Sequence, residues 1–254
     1  MTRILTIVYG GTAYAIFLFT FLYAVGFLGN AIVPKTLDSG AAGSWQRALA
    51  IDLALLALFA VQHSVMARQG FKRALTRVVP TAIERSTYVL ASSLALLLLF
   101  WQWQPLGGMV WNVEHAAGRA VLYGGFALGW ILVLVSTFAI NHFDLFGLRQ
   151  TWLAFRGRPQ VPLPFATPFL YRLVRHPLYV GWFLAFWSTP TMTVTHLVFA
   201  LATTGYILAA IQLEERDLTA AHPEYAEYRR QVPMLIPRLR PNTGAAKAAE
   251  PSRV

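Results

Sequence analysis

Residues 119–140 read RAVLYGGFALGWILVLVSTFAI, and no charged side chain follows Arg119 in this stretch. An α-helix rises about 1.5 Å per residue, so a helix needs about 20 apolar residues to cross the roughly 30 Å hydrocarbon core of a bilayer. The stretch therefore predicts a membrane-spanning helix. Three further runs share its length and apolar character, and they cover residues 4–28, 48–67 and 86–104.

A fifth apolar stretch, residues 177–213, is too long for one crossing and barely long enough for two. Pro190 interrupts it, because proline lacks the backbone donor of a helix and disfavours helix in the residue before it. We therefore predict a tight helical hairpin here, with one long kinked helix as the alternative. The predicted fold class is all-α, a polytopic transmembrane helical bundle of five to six membrane helices. A single membrane domain is expected over residues 1–240, followed by a disordered tail at 241–254.

Composition excludes several classes of protein. Of the 254 residues, 56% are hydrophobic and 13% are charged, which is about half the charged fraction of a soluble domain. This excludes a disordered chain and argues against a water-soluble enzyme. The chain has no cysteine, so disulfides, thiolate metal ligands and a cysteine nucleophile are also excluded. The formal net charge of +10 would fit nucleic acid, an anionic membrane surface or an acidic ligand.

The positions of the basic residues decide among these partners. Of the 21 Lys and Arg residues, all but Lys35, Arg47 and Arg119 lie at the N-terminus, after the second or fourth run, or after residue 213. Segments rich in Lys and Arg stay on the cytoplasmic side of a membrane. We therefore predict six crossings with both termini in the cytoplasm. This distribution removes nucleic acid as a partner and leaves membrane lipid.

Ionisable side chains collect at the predicted cytoplasmic ends of these helices. His63 lies near the end of the second run, and His142 and Asp144 follow the fourth. Such groups are costly at a membrane edge, and they mark functional sites by default. The alternatives are a satisfied polar side chain for His63 and a helix-end cap for His142 with Asp144. No two histidines have the helical spacing of a metal site, so no metal is expected.

The segment between the fourth run and the hairpin, residues 141–176, contains too many aromatic residues for a solvated linker. We expect it to form a lid or pocket wall against the membrane surface. It ends in Arg175-His176-Pro177, and proline is typical of the first position of a helix. Backbone N–H groups at a helix start, together with the helix dipole, favour an anionic group such as a carboxylate.

Two carboxylates, Glu214 and Glu215, stand at the end of the last apolar helix. Adjacent acidic residues are unfavourable there unless they bind something. Together they could accept both hydroxyls of a ribose and offset a nearby cation. The apolar turn Val-Pro-Met-Leu-Ile-Pro at residues 232–237 could form a wall against a flat aromatic ring.

These motifs in order resemble a known superfamily. They are Arg-His-Pro-x-Tyr-x-Gly (175–181), Glu-Glu-x-x-Leu (214–218), Tyr-x-x-Tyr (225–228) and Val-Pro-x-x-Ile-Pro (232–237). The set is similar to that of the isoprenylcysteine carboxyl methyltransferase-like proteins, which are integral-membrane enzymes that use S-adenosylmethionine. The resemblance covers residues 170–237 and implies a cofactor pocket on the cytoplasmic side. This chain departs from the pattern at Ala221-His222-Pro223, where the carboxyl methyltransferases often have Phe-Gly, which puts a prenylcysteine substrate in doubt.

The front half narrows the resemblance. Residues 62–68, 83–88 and 141–150 look like the bacterial methanethiol S-methyltransferases, and the first of these is also similar to the NnrU-like membrane proteins. The resemblance then extends over most of residues 50–237. It implies methylation of a small volatile thiol, methanethiol, to dimethyl sulfide in the bacterial inner membrane, with no obligatory protein partner. The alternatives are an isoprenylcysteine carboxyl or phospholipid methyltransferase and a haem-linked NnrU-like protein.

The resemblance also implies roles for individual residues. Around S-adenosylmethionine we expect Arg175 and His176 near the carboxylate, and Glu214 or Glu215 on the ribose. The rest of the cofactor site is expected to comprise Tyr179, Gly181, Tyr225, Arg229 and Leu235. On the thiol side we predict His142, oriented by Asp144, as base or thiolate stabiliser, with His63 as the competing candidate. General-base help of this kind contributes about 10²–10⁴-fold.

Overall fold

The computed structural model describes residues 2–161 and 163–238, so the predicted tail at 241–254 lies outside the described residues. The long helices are α1 (Arg3–Leu28), α2 (Trp45–Ala67), α4 (Thr81–Gln102), α5 (Ala116–Ile140) and α9 (Val194–Ala221). The shorter ones are α3 (Gln69–Leu75), α6 (His142–Leu145), α7 (Leu148–Phe155), α8 (Pro177–Trp187) and α10 (Tyr225–Gln231). Two short strands, β1 (Met109–Asn112) and β2 (Thr191–Thr193), and one 3₁₀ turn (Phe169–Arg172) complete the elements.

The architecture confirms a polytopic helical bundle. In the described part of the chain, five helices (α1, α2, α4, α5 and α9) are long and apolar enough to cross a membrane. The predicted runs 4–28, 48–67 and 119–140 fall within α1, α2 and α5, and the run 86–104 extends two residues past the end of α4. Helix α9 is the second arm of the predicted hairpin. The first arm, α8, has 11 residues and spans only about 16 Å. The chain is therefore an integral membrane protein.

The predicted hairpin is confirmed, and the alternative of one kinked helix is wrong. Helices α8 and α9 are separated by residues 188–193, within which β2 pairs antiparallel with β1. The Pro190 carbonyl accepts a hydrogen bond from the Val113 backbone N–H at 2.8 Å. The Thr193 hydroxyl then accepts from the His196 backbone N–H at 3.0 Å and caps the start of α9.

Small residues hold α8 against α5. Gly129 on α5 faces Gly181 and Ala185 on α8, and a Cβ atom added at Gly129 would lie 2.5 Å from the Ala185 backbone nitrogen. Gly125, one turn away on the same face of α5, meets Ser188. Membrane helices without large side chains at their interface can approach until their backbones are in contact. This contact fixes the position of α8 and of the residues at its start.

The two ends of the helical bundle differ in structure. One end carries β1, β2 and the α8–α9 turn, and buried apolar side chains such as Phe27, Trp103 and Phe199 fill the bundle there. The opposite end, which we call the site end, contains the starts of α1, α4 and α8 and the last turns of α2, α5 and α9. There the Tyr9 hydroxyl contacts the Thr87 hydroxyl at 3.0 Å, joining the start of α1 to α4. The predicted basic segments therefore lie together at the site end.

The segment predicted to form a lid does cover part of the site end. Helix α7 packs on α1, because Thr151 sits against Gly10, where an added Cβ would lie 2.4 Å from the Thr151 hydroxyl oxygen. Gly147, with a φ of 86°, approaches Ser86 on α4 in the same way. Glycine tolerates this left-handed conformation without strain. The segment thus covers the ends of α1 and α4 that the sequence predicts to face the cytoplasm.

Candidate active site

A buried carboxylate organises the site end. Glu215, on α9, is 2% exposed. Its Oε1 atom accepts hydrogen bonds from Arg175 Nε at 2.7 Å and from His176 Nε2 at 3.0 Å. Its Oε2 atom pairs with Arg229 Nε of α10 at 3.1 Å. A buried charge is tolerated only when it is paired and hydrogen-bonded, so these four residues form one unit, which we call the Glu215 hub.

Backbone hydrogen bonds attach the C-terminal turn to the start of α8. The Arg175 backbone N–H donates to the Pro233 carbonyl at 2.8 Å, and that of His176 donates to the Met234 carbonyl at 3.1 Å. The Arg175 side chain also donates to the Val232 carbonyl at 2.6 Å. The sequence had suggested that N–H groups at this helix start would bind an anion. These two N–H groups are not available for that role. The hub instead links α8, α9 and the turn after α10.

The second carboxylate, Glu214, has a different environment. Its side chain is 44% exposed. Within the described part of the chain it accepts one hydrogen bond, from the Tyr179 hydroxyl at 2.9 Å, and His176 Nδ1 lies 4.0 Å away. From the sequence, either Glu214 or Glu215 could bind the ribose of the cofactor. The structure distinguishes them, because both oxygens of Glu215 are occupied by cationic partners whereas Glu214 remains open.

A cavity of about 320 Å³ lies beside the hub. It is lined by Gln212, Glu215, Arg216, Thr219, Ala220 and Arg229. The Arg229 side chain is half exposed, so its guanidinium reaches both Glu215 and the cavity. The cavity therefore offers a cation to an acidic group of a ligand.

Two other predicted cofactor residues also border the hub. The Tyr225 ring is buried, and its hydroxyl forms no hydrogen bond of normal geometry to any described residue. Burial, reinforced by the nearby Glu215 carboxylate, raises the pKa of Tyr225 to about 12, so the phenol stays protonated. Leu235 packs against the apolar core from the C-terminal turn.

Gly181 has a different position from the one that its motif suggested. A Cβ added there would lie 2.8 Å from both the Gly129 carbonyl oxygen and the Val133 backbone nitrogen on α5. The absence of a side chain at this residue is therefore explained by helix packing. Gly181 contributes to the site by holding α8, which carries Tyr179 two residues earlier.

His142 lies in a pocket formed by α1 and α5. Its Nε2 atom contacts the Tyr14 hydroxyl at 2.8 Å, its Nδ1 atom contacts the Thr137 hydroxyl at 2.9 Å, and its ring stacks on Phe138 with centroids 4.2 Å apart. Burial lowers the pKa of the imidazole, which favours its neutral form. Both ring nitrogens are therefore already used within the protein.

The predicted contact between Asp144 and His142 is replaced by others. The Asp144 carboxylate accepts from Arg149 at 2.9 Å and from Gln150 at 3.3 Å, both on α7. The Asn141 side chain accepts from the Asp144 backbone N–H at 3.1 Å and caps α6. This geometry matches the helix-end cap that the sequence left as the alternative.

His63, on α2, lies in a polar cluster with α4. Its Nε2 atom is 2.8 Å from the Tyr88 hydroxyl, and its Nδ1 atom is 3.2 Å from the Ser92 hydroxyl. Sequence reasoning did not single out Tyr88 and Ser92 as neighbours of His63, because single polar side chains in an apolar run are typical of helix contacts. The motif at 83–88 contains Tyr88, and this was the available signal.

Comparison with known proteins assigns the family. Over 238 residues the chain is 60% identical to a methanethiol S-methyltransferase of Crocosphaera subtropica, with 93% of each protein covered. It is 56% identical over 238 residues to the methanethiol S-methyltransferase of Mycobacterium tuberculosis, covering 93% of this chain and 98% of that protein. The chain belongs to the methanethiol S-methyltransferase family. Nurim of Xenopus laevis is a more distant relative, 31% identical over 182 residues, which are 68% of this chain and 63% of Nurim. No protein-family model and no solved structure matches the chain.

Membership of the methanethiol S-methyltransferase family confirms the resemblance drawn from the sequence motifs. The chain is an enzyme, and its class is methyltransferase. It therefore requires a methyl donor and an acceptor within the same bundle. The Glu215 hub, the open Glu214 carboxylate and the His63 cluster are the polar features of the site end from which such a site can be built.

Proposed function

We propose that this enzyme transfers the methyl group of S-adenosylmethionine to methanethiol and releases dimethyl sulfide and S-adenosylhomocysteine. The single observation that carries the proposal is the Glu215 hub, which joins the motifs at 175–181 and 214–218 to the turn at 232–237 beside an open carboxylate. The names of the relatives supply the acceptor, since both close relatives are methanethiol S-methyltransferases.

The residues present fit the proposed donor. S-adenosylmethionine supplies a methyl group that is already activated on a sulfonium sulfur. Glu214 is the carboxylate that remains available for the ribose hydroxyls, and it also offsets a positive charge nearby. Arg229, which reaches the 320 Å³ cavity, can bind the donor carboxylate. Glu215 supports the site by holding Arg175, His176 and Arg229 in place.

The chemistry that remains for the protein is positioning and proton removal. The thiol sulfur forms a new bond to the methyl carbon as the bond from that carbon to the donor sulfur breaks. The thiolate is the nucleophile, so the thiol proton must pass to a base. Holding two small reactants in line can contribute about 7–11 kcal/mol to lowering the barrier.

We further propose that the site end faces the cytoplasm of a bacterium and that the enzyme lies in the inner membrane. The basic segments at the site end support this orientation, because Lys- and Arg-rich loops are retained in the cytoplasm. The donor is a charged, water-soluble metabolite, and it would reach the Glu215 hub from that side. The thiol and the sulfide are small and apolar enough to pass through lipid.

A headspace measurement tests the proposed reaction. Purified enzyme in lipid nanodiscs, given S-adenosylmethionine and methanethiol, is expected to release dimethyl sulfide and one equivalent of S-adenosylhomocysteine, measured by gas and liquid chromatography. Nanodiscs without enzyme are the control for spontaneous methylation. Donor labelled in the methyl group would instead mark the lipid extract if the enzyme were a phospholipid methyltransferase. Label in lipid without dimethyl sulfide would overturn the proposal.

His142→Ala distinguishes the two imidazoles predicted for the thiol. We expect it to act on stability, since it leaves the Tyr14 hydroxyl without its partner at a cost of about 1–3 kcal/mol, whereas the Thr137 hydroxyl keeps its bond to the Leu134 carbonyl. Turnover per folded molecule is expected to stay within about fivefold of wild type, well short of the loss of a general base. Thermal unfolding and initial rates measure the two effects. A hundredfold loss of turnover with unchanged unfolding would return the base role to His142.

A further inference from the structure

A chain of polar side chains links α2 to α4 in the membrane part of the site end. The Tyr88 hydroxyl lies 2.8 Å from His63 Nε2 and 3.1 Å from His63 Nδ1. The Ser92 hydroxyl lies 3.2 Å from Nδ1, and Gln62 Nε2 donates to the same hydroxyl at 3.3 Å. This favours the tautomer in which Nδ1–H donates to Ser92 and Nε2 accepts from Tyr88.

The cluster lies next to α9, the helix that carries the open Glu214 carboxylate. The Ser64 hydroxyl, beside His63 on α2, lies 3.1 Å from the Tyr206 hydroxyl on α9. Arg68, just after α2, pairs with Asp217 on α9 at 2.8 Å. The Arg85 guanidinium lies over the Tyr88 ring, 5.1 Å from its centroid. Glu214, which accepts from the Tyr179 hydroxyl at 2.9 Å, lies on α9 between Tyr206 and Asp217. The His63 cluster therefore lies beside the part of α9 that carries the carboxylate we assign to the donor.

We propose that Tyr88 is the catalytic residue that contacts the thiol, and that it passes the thiol proton to His63. The inference rests on the proposed methyl transfer and names the place where its second substrate binds. Of the two hydroxyls that contact the imidazole, those of Tyr88 and Ser92, that of Tyr88 belongs to the ring over which the Arg85 guanidinium lies. Ser92 positions His63 through the bond to Nδ1.

The proton and charge balance of this step is favourable. The Tyr88 oxygen accepts the proton of the thiol while its own proton moves to His63 Nε2, so the tyrosine is unchanged and the imidazole becomes a cation. The sulfur forms its bond to the methyl carbon at the same time. Methyl transfer removes one positive charge from the donor sulfur as proton transfer adds one to His63. The site therefore carries the same total charge before and after, and water removes the proton from His63 between turnovers.

The surroundings of Tyr88 also favour an anionic sulfur. The Arg85 guanidinium is held in place because its Nε donates to the Leu145 carbonyl at 2.8 Å. A nearby cation stabilises a developing thiolate more strongly in a water-poor site than in bulk water.

Tyr88→Phe tests the inference in full-length enzyme in nanodiscs. We expect kcat with methanethiol to fall about 10²–10⁴-fold at neutral pH, while Kd for S-adenosylmethionine, measured by calorimetry, stays within twofold. As pH rises toward the pKa of methanethiol, free thiolate replaces the missing base. The rate ratio of wild type to variant is therefore expected to shrink steadily, which a purely structural defect would not produce.

Tyr9→Phe is the matched control, because it removes a hydroxyl that contacts Thr87, the residue next to Tyr88. Its kcat is expected to equal that of wild type. His63→Gln provides a second variant, with the same pH-dependent loss expected. The inference is overturned if either site variant binds donor normally and keeps its rate, or if both lose rate equally at every pH. Wild-type enzyme that methylates no thiol would overturn the proposed function instead.

Discussion

Glu215→Gln is expected to reduce donor affinity and turnover by about 100- to 3000-fold while the helical bundle stays assembled. Removing the charge of a buried, paired carboxylate costs about 3–5 kcal/mol, because its cationic partners stay buried without compensation, and each 1.4 kcal/mol is a factor of about ten. In this enzyme the buried cationic partner is Arg175, and His176 and the half-exposed Arg229 contact the same carboxylate. Arg175 also holds the turn at Val232, so the pocket wall would loosen with it.

Two further acidic residues make the experiment specific. Glu214→Gln is expected to weaken donor binding without lowering the unfolding temperature, because Glu214 is partly exposed and accepts a hydrogen bond from only the Tyr179 hydroxyl among the described residues. Glu227→Gln removes an exposed carboxylate that pairs with Arg230 on α10, and it is expected to change neither quantity. Calorimetric titration with S-adenosylmethionine measures the donor affinity of all three variants, and thermal unfolding measures their stability. Wild-type affinity in Glu215→Gln would exclude the hub from the donor site.

The fold was predictable from the sequence because its main signal is local. A run such as 119–140 must form a helix wherever it lies in a membrane, since its backbone groups have no other partners there. Pro190 likewise predicts the break between α8 and α9 from its own chemistry. The pairing of β1 with β2 was not predictable, because Trp111 and Met192 lie far apart in the sequence and neither segment has a strand pattern of its own.

The site was predictable as a set of motifs but not as a geometry. Arg175, His176 and Glu215 were expected at one place, and the structure brings them into contact. The different roles of Glu214 and Glu215 were hidden, because adjacent residues on a helix point about 100° apart and only the packing of α8 and α10 decides which is buried. That information lies in tertiary contacts, which one sequence does not contain.

The predicted His142–Asp144 pair illustrates the opposite problem. The two residues are close in the sequence, but residues two apart on a helix do not face each other. In the short helix α6, His142 turns toward Tyr14 while Asp144 turns toward Arg149. Proximity in sequence thus suggested a contact that helix geometry prevents. His63 finds its partner Tyr88 on a different helix, 25 residues away.

The contact between α5 and α8 gives the largest expected effect on stability. Gly129→Leu would place side-chain atoms where the Ala185 nitrogen and the Gly181 carbonyl oxygen now lie, 2.5 and 2.7 Å from the new Cβ. Backbone atoms cannot move aside by changing rotamer, so the helices must separate. Overpacking of this kind costs about 1–3 kcal/mol or more, which corresponds to a fall in unfolding temperature of roughly 2–12 °C.

The same substitution is expected to lower activity, because α8 carries His176 and Tyr179 at its start and a displaced α8 would separate both from the carboxylates of α9. Gly124→Leu is the matched control: it lies on the same helix, and a Cβ there meets nothing within 4 Å. Thermal unfolding in nanodiscs and dimethyl sulfide release measure both variants. If Gly129→Leu unfolded at the temperature of Gly124→Leu, close packing of α8 on α5 would not be what positions the site.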